Sequence, residues 1–127
     1  MNYKELLSSV LLNEVLENPN SLVNIDINDI KDLFLNGGNI SEFEIIVDAL
    51  EEKRMKLLVN KIKEHTKYCH ALSRALVFFI FPEDRPLLME ELQPFSEWIE
   101  SVLGELWIKW GMATQSTQDL RAIVLLQ

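Results

Sequence analysis

The sequence is poor in cysteine, in positive charge and in long apolar runs, and each shortage excludes a class of protein. Cys69 is the only cysteine, so no disulfide can form within the chain. Twelve basic residues stand against 20 acidic ones, for a net charge of −8, which argues against nucleic-acid binding and against docking on an anionic membrane. The longest apolar run, ALVFFIF at 75–81, is too short to span a bilayer. Since no signal-peptide pattern is visible, we expect a cytoplasmic protein.

Glycine is also scarce, and its distribution bears on cofactor binding. The four glycines (Gly37, Gly38, Gly104 and Gly111) form no cluster of the kind that cradles phosphate on backbone N–H groups. We therefore expect no cofactor to be bound by this chain alone. Hydrophobic residues make up 48% of the 127 residues, which predicts one domain with a hydrophobic core.

Apolar periodicity predicts an α/β fold. Helical patterns cover residues 3–17, about 27–35, 49–66 and a stretch after Pro86 in which Pro94 marks either the start of the helix or a kink. Strand patterns cover 43–47, the run RALVFFIF at 74–81, and the two closing segments LWIKWGMA and LRAIVLLQ. The order predicts a four-stranded mixed sheet packed with helices and ending in an antiparallel strand pair.

The stretch VNIDINDIKDLF, residues 23–34, holds the most distinctive polar pattern. Asn24, Asp26 and Asp29 stand among isoleucines and lead into an amphipathic helix. Asp26 is placed as the N-cap and Asp29 falls at the third helical position, so both carboxylates lie at one end of the helix. The helix dipole and the unbonded N–H groups there favour ionised carboxylates. An ordinary helix start explains this pattern, and the same geometry can present two carboxylates to a partner.

Together with the order of elements, this pattern resembles the C-terminal domain of the FtsZ/tubulin superfamily. In that family a central helix runs into a loop of pattern N-x-D-x-x-[DE], which opens a short helix, and NIDIND at 24–29 stands in that position. The closing segment LWIKWGMATQSTQDLRAIVLLQ is similar to the family's ending, in which a strand, a polar turn and a second strand follow one another. The resemblance assigns residues 1–20 to the end of the central helix plus a linker, and 21–127 to the C-terminal-like domain. The sequence departs from the family in EFEIIVD and FPEDRP, where typical members carry glycines.

The resemblance implies a part in GTP-dependent filament assembly, in cell division or the cytoskeleton. In the family the loop of one subunit reaches the nucleotide of the next, so Asp26 and Asp29 would be the catalytic pair that orients the attacking water, and Asn24 would hold the loop. The GTP would be carried by an FtsZ/tubulin-like partner subunit, either a copy or a homologue, or by a domain outside this sequence. We therefore expect no GTPase activity from this chain alone, and a possible contribution of its loop in trans.

Two other functions are compatible with the sequence. A non-catalytic regulator could use the loop face to cap an FtsZ-like filament, since head-to-tail contacts can be blocked from one side. An unrelated acidic α/β protein-binding domain could be steered to a cationic partner by the net charge of −8. The run EEKRMKLLVNKIKEHTK favours a solvated helix face, with docking of an acidic partner as the alternative.

Two further groups of residues give weaker signals. His65, Cys69 and His70 lie close in sequence but lack the second ligand pair that a closed zinc site requires, so we predict no metal site. Trp107 and Trp110 belong to a core or an interface, and their spacing on a strand predicts that they point to opposite faces.

Overall fold

The computed structural model describes residues 1–34, 38–67, 72–102 and 107–127. In these ranges the chain forms one five-stranded sheet in the order β1-β4-β3-β5-β2, with helices on both faces. The elements are α1 (Tyr3–Leu6), α2 (Val10–Glu17), β1 (Ser21–Val23), α3 (Ile27–Phe34), β2 (Ser41–Asp48), α4 (Arg54–Thr66), β3 (Arg74–Pro82), a 3₁₀ turn (Met89–Leu92), α5 (Gln93–Ser101), β4 (Trp107–Gln115) and β5 (Asp119–Leu126). None of the helices described is long and apolar enough to cross a bilayer.

The central strand β3 confirms the expectation of a strand that is buried on both faces. Every residue from Ala75 to Phe81 is at most 1% exposed. This strand is parallel to β4 on one side and antiparallel to β5 on the other. Its side chains alternate between two cores, one under α4 and α5 and the other under α1, α2 and α3. We call the second of these surfaces of the sheet the α3 face.

The predicted α/β class is correct, but the number of strands and the closing strand pair are wrong. The structure has a fifth strand, β1, which pairs antiparallel with β4 at the edge of the sheet. Strands β4 and β5 run in opposite directions without pairing, because β3 lies between them. Residues 116–118 connect them across the end of β3, a distance of roughly 10 Å or two strand spacings. The most apolar strand takes the central position, where both faces and both edges are covered.

The helix predicted over 3–17 is divided into α1 and α2 by a serine cap. The Ser9 hydroxyl accepts a hydrogen bond from the N–H of Leu12 at 3.2 Å and donates one to the carboxylate of Glu42 on β2. Ser9 therefore begins a new helix and ties it to the edge of the sheet. Val10, which the periodicity placed on the apolar stripe, is 83% exposed.

Two other helix boundaries bear on the sequence predictions. The helix predicted over 49–66 begins only at Arg54, because the Asp48 carboxylate accepts the N–H of Leu50 at 2.9 Å and holds a turn there. Pro94 lies in the first turn of α5, which confirms the helix-start alternative over the kink. Cys69 and His70, two of the three residues weighed for a metal site, lie outside the described residues, as do Gly37 and Gly104.

Candidate functional site

The loop at 24–29 ends in a reciprocal cap at the start of α3. Asp26 Oδ1 accepts hydrogen bonds from the N–H groups of Asn28 at 2.8 Å and Asp29 at 3.0 Å. In return, Asp29 Oδ2 accepts the N–H of Asp26 at 2.9 Å. This is the capping-box arrangement with aspartate in both positions, so the predicted helix start is confirmed and the two carboxylates stand side by side.

A glycine on β4 lets the loop lie directly on the sheet. Ile25 is 5% exposed and anchors the loop in the core, while its neighbours Asn24 and Asp26 are exposed. A Cβ atom at Gly111 would lie 2.6 Å from the carbonyl oxygen of Val23 and 2.9 Å from Cγ1 of Ile25. Close approach of the two backbones therefore requires glycine at this position. Sequence reasoning missed Gly111, although an isolated glycine within a strand pattern is a signal for such an approach.

Lys109 on β4 forms an ion pair with the loop from 80 residues away. Its Nζ lies 3.2 Å from Oδ1 of Asp29, and the two side chains are 44% and 26% exposed. The pKa of the Asp29 carboxyl is lowered, first by the hydrogen bond from the N–H of Asp26 and then, against an opposing effect of burial, by Lys109. Sequence reasoning missed this lysine, because nothing local connects LWIKWG with NIDIND.

A second cation holds the other end of α3. The guanidinium of Arg74 donates a hydrogen bond to the carbonyl oxygen of Leu33 at 3.0 Å, where the helix dipole favours positive charge. The same guanidinium lies 5.8 Å from the ring centroid of Trp107, its register partner on β4. Two cations from adjacent strands therefore fix α3 on the α3 face, one at each end.

The carboxylates of Asp26 and Asp29 differ in how many of their oxygens are already hydrogen-bonded. Both oxygens of Asp29 are engaged, one by the N–H of Asp26 and the other by Lys109. Asp26 uses only Oδ1, and its Oδ2 makes no hydrogen bond to any residue that the structure describes. Asp26 therefore keeps one carboxylate oxygen that no described residue engages, whereas each oxygen of Asp29 already accepts one hydrogen bond. The side chain of Asn24 likewise bonds to no described residue, so its supporting role stays a prediction.

Exposed apolar side chains accompany the loop on β1, α3 and β4. Leu22 is 63% exposed, Ile27 38%, Trp107 64% and Trp110 39%. Strand β1 pairs with β4 only around Met112 and Ala113, so in the described part of the chain the outer edge of β4 from 107 to 110 has no strand partner. An unpaired edge beside apolar side chains suits contact with another protein.

Trp107 and Trp110 point to opposite faces of β4, as their spacing predicts. Trp107 lies beneath the guanidinium of Arg74, 5.8 Å from it, on the α3 face. Trp110 lines a cavity of about 270 Å³ on the other face, together with Ile108, Met89 and Ile99. The exposed surface around the edge of β4 therefore extends to both sides of the sheet.

A second polar cluster, around Arg54, is structural. Arg54 is 5% exposed and donates to both carboxylate oxygens of Glu91, at 2.7 and 2.9 Å. Its remaining donors bond to the carbonyl oxygens of Ala49, Arg85 and Pro86, so the guanidinium has nothing left for a ligand. This hydrogen bonding lowers the pKa of the Glu91 carboxyl. Across the described ranges, no group of three or more histidine, cysteine or acidic side chains is arranged to hold a metal ion.

Comparison with known proteins gives matches among solved structures. No protein-family model and no curated protein matches the chain. A point mutant of FtsZ from M. jannaschii aligns with a TM-score of 0.68 and 24% identity, over 98% of this chain and 40% of its own. An empty FtsZ dimer from M. jannaschii gives 0.64 and 25%, over 96% and 38%. CetZ2 from Haloferax volcanii, a GTPγS-bound protofilament, gives 0.56 and 16%, over 80% and 33%.

These matches confirm, at the level of the fold, the resemblance to the C-terminal domain of the FtsZ/tubulin superfamily. The chain spans about 40% of the FtsZ chains that it matches and is covered nearly completely by them. The division into 1–20 and 21–127 and the roles of Asn24, Asp26 and Asp29 stay predictions.

Proposed function

We propose that this chain is an FtsZ/tubulin-like C-terminal domain that takes part in GTP-dependent filament assembly, with its acidic loop against the nucleotide of a neighbouring subunit. The observation that carries the proposal is the exposed carboxylate of Asp26, presented by a capped helix on a fold shared with FtsZ and CetZ. The comparison structures include an FtsZ dimer and a GTPγS-bound protofilament of CetZ2, so the partner we propose is an FtsZ-like subunit, either a second copy or a homologue.

The geometry supports different roles for the two carboxylates. Phosphoryl transfer depends mainly on positioning and electrostatics, and a carboxylate can accept a hydrogen bond from an attacking water and orient it. The unengaged Oδ2 makes Asp26 the residue that contacts this water, whereas Asp29 holds the backbone of Asp26 in place. In this proposal the triphosphate is substrate brought by the neighbour, in keeping with a sequence whose four glycines do not form the cluster typical of a phosphate-binding loop.

The test is to mix the chain with an assembly-competent FtsZ-like GTPase and to measure GTP turnover and sedimentation. We expect the wild-type chain to change both. Asp26→Asn keeps an oxygen that can cap α3 but removes the negative charge, so it should fold normally and lose the effect on turnover. Asp48→Asn is the matched control, since it removes the same charge from another carboxylate that accepts a backbone N–H and leaves the loop intact.

The direction of the effect separates catalysis from capping. Faster turnover that depends on Asp26 supports a loop that acts in trans. Slower turnover with shorter polymers supports the regulator that blocks a filament end, a reading favoured by the unpaired edge of β4 and the exposed Trp107. No change in turnover or sedimentation with the wild-type chain contradicts both and favours an unrelated acidic binding domain.

A further inference from the structure

We infer that Lys109 is a positioning residue for the loop: its ion pair with Asp29 holds the first turn of α3 against β4 and thereby sets the direction in which Asp26 points. The catalytic consequence of this inference rests on the proposed function, while the positional part concerns the folded chain alone. Among the described residues, Lys109 is the one cation that pairs with a carboxylate of the loop.

The backbone of Lys109 pairs with the buried central strand β3. Lys109 is the register partner of Leu76 on β3, which is fully buried. Its neighbours in the strand include Gly111, over which the loop passes in close contact. The backbone of Lys109 is therefore held by the central strand on one side, and its side chain, which is 44% exposed, reaches the first turn of α3.

Asp29 connects Lys109 to Asp26 through its two carboxylate oxygens. One carboxylate oxygen of Asp29 accepts from Lys109 and the other accepts from the N–H of Asp26. A single planar group thus bridges the strand and the residue that carries the outward carboxylate. Without the lysine, the Asp29 side chain keeps its bond to Asp26 but is no longer fixed to the sheet, so the first turn of α3 gains freedom to shift.

The pair also changes the charge that an anion meets at this surface. Asp26, Asp29 and Asp32 place three carboxylates within seven residues, and Lys31 is the only cation in that segment. Lys109 pairs with Asp29, so of the two carboxylates that cap α3 only Asp26 is without a cationic partner among the described residues, while Asp32 is exposed further along the helix. A partner that brings phosphate groups is repelled less when one of these three carboxylates is paired with a cation.

Stability alone cannot test this role, because an exposed ion pair contributes little to the free energy of unfolding. The discriminating variants are Lys109→Met, which keeps the apolar stem, Lys109→Arg, which keeps the charge, and Lys31→Met. Lys31 lies exposed on α3 itself, so its removal lowers the local charge equally without breaking the pair. The measurements are the NMR titration of the Asp29 carboxyl and the amide hydrogen exchange of Asp29 and Ile30, whose N–H groups bond to the carbonyl of Asp26.

We expect Lys109→Met to raise the pKa of Asp29 towards its ordinary value and to speed exchange at Asp29 and Ile30 by about two- to fivefold, as the loss of an exposed ion pair allows. Lys109→Arg should restore both properties, and Lys31→Met should change neither by a comparable amount. An unchanged titration and exchange in Lys109→Met, or equal effects from Lys31→Met, would overturn the inference.

Turnover measured with the FtsZ-like GTPase adds the functional readout. If Lys109 positions Asp26, Lys109→Met lowers the turnover reached at saturating chain and leaves the concentration for half-maximal effect nearly unchanged. A shift of that concentration alone would mean that Lys109 serves docking, and would contradict a positioning role. If the wild-type chain has no effect on turnover, the proposed function fails, whereas the titration and exchange results still decide the place of Lys109.

Discussion

Single residues around the loop act through hydrogen bonds whose partners come partly from nearby sequence and partly from a distant strand. Asp26 and Asp29 cap α3 through contacts within four residues, which the spacing D-x-x-D predicts. Lys109 and Gly111 reach the same loop from β4, and no local pattern connects them with it. The cap could therefore be predicted from sequence, whereas the residues that fix its orientation required the register of the sheet.

The pH dependence of stability should carry a signature of Asp29. Its folded-state pKa lies below the ordinary value of 3.8, so its hydrogen bonds stabilise the folded state fully above that value and lose this contribution as pH falls through the folded-state pKa. Asp29→Asn should therefore be less stable than wild type at about pH 6, and the difference should shrink as the pH falls below about 4. Urea unfolding at both pH values measures this. A difference that stays constant across the range would contradict the assignment.

Gly111→Ala should disturb the loop through steric overlap. The added Cβ meets the backbone oxygen of Val23 at 2.6 Å and side-chain atoms of Ile25 and Phe78 at 2.9 Å, so β1 or β4 must move. We expect a loss of about 1–3 kcal/mol in the free energy of unfolding, typical of overpacking. Gly38→Ala is the comparison, because φ at Gly38 is +94° and its cost arises from backbone strain at a distance from the loop. Only Gly111→Ala should shift the NMR resonances of 24–29.

At the scale of elements, strong apolar periodicity predicts the helices and strands correctly. The predicted helix boundaries are wrong where a side chain forms a hydrogen bond with the backbone. The strand predicted over 43–47 is the centre of β2, and β3 matches its apolar run. The caps at Ser9 and Asp48 altered two helices, since a short polar side chain competes with helical hydrogen bonds. Strand β1 has only three residues, and it exists through its pairing with β4 rather than through its own pattern.

The segment between β3 and α5 should depend on all five donors of Arg54. This guanidinium binds Glu91 and three carbonyl oxygens at once, and a lysine ammonium has too few donors and the wrong geometry to replace it. Arg54→Lys should lower the free energy of unfolding by about 2 kcal/mol, because buried acceptors lose their partners. Arg85→Lys, at an exposed side chain, should be nearly neutral in the same urea titration. Equal effects of the two substitutions would argue against a structural role for Arg54.

At the scale of the whole molecule, the position of β3 decides the architecture. A hairpin of β4 and β5 was the local prediction, because strands joined by a short polar connection usually pair. The structure places β3 between them, where its residues contribute to both cores, Phe78 to one and Phe79 to the other. Sequence periodicity identifies which strands are buried. Which strands lie next to each other depends instead on how the two layers of helices pack on the two faces of the sheet.

This shared sheet predicts that both cores unfold together. Leu12 lies in the core of the α3 face and Leu58 in the core under α4, and both are fully buried, so replacing either by alanine should cost about 3 kcal/mol. Trp98 lies in the core under α4 and α5, and its fluorescence can be followed alone when Trp107 and Trp110 are replaced by phenylalanine. We expect Leu12→Ala to shift the Trp98 transition by as much as the far-UV circular dichroism transition, because β3 and β5 couple the two layers. If Leu12→Ala shifted only the circular dichroism signal, the helices on the α3 face would form a separate unit, and the loop that they carry could move independently of the sheet.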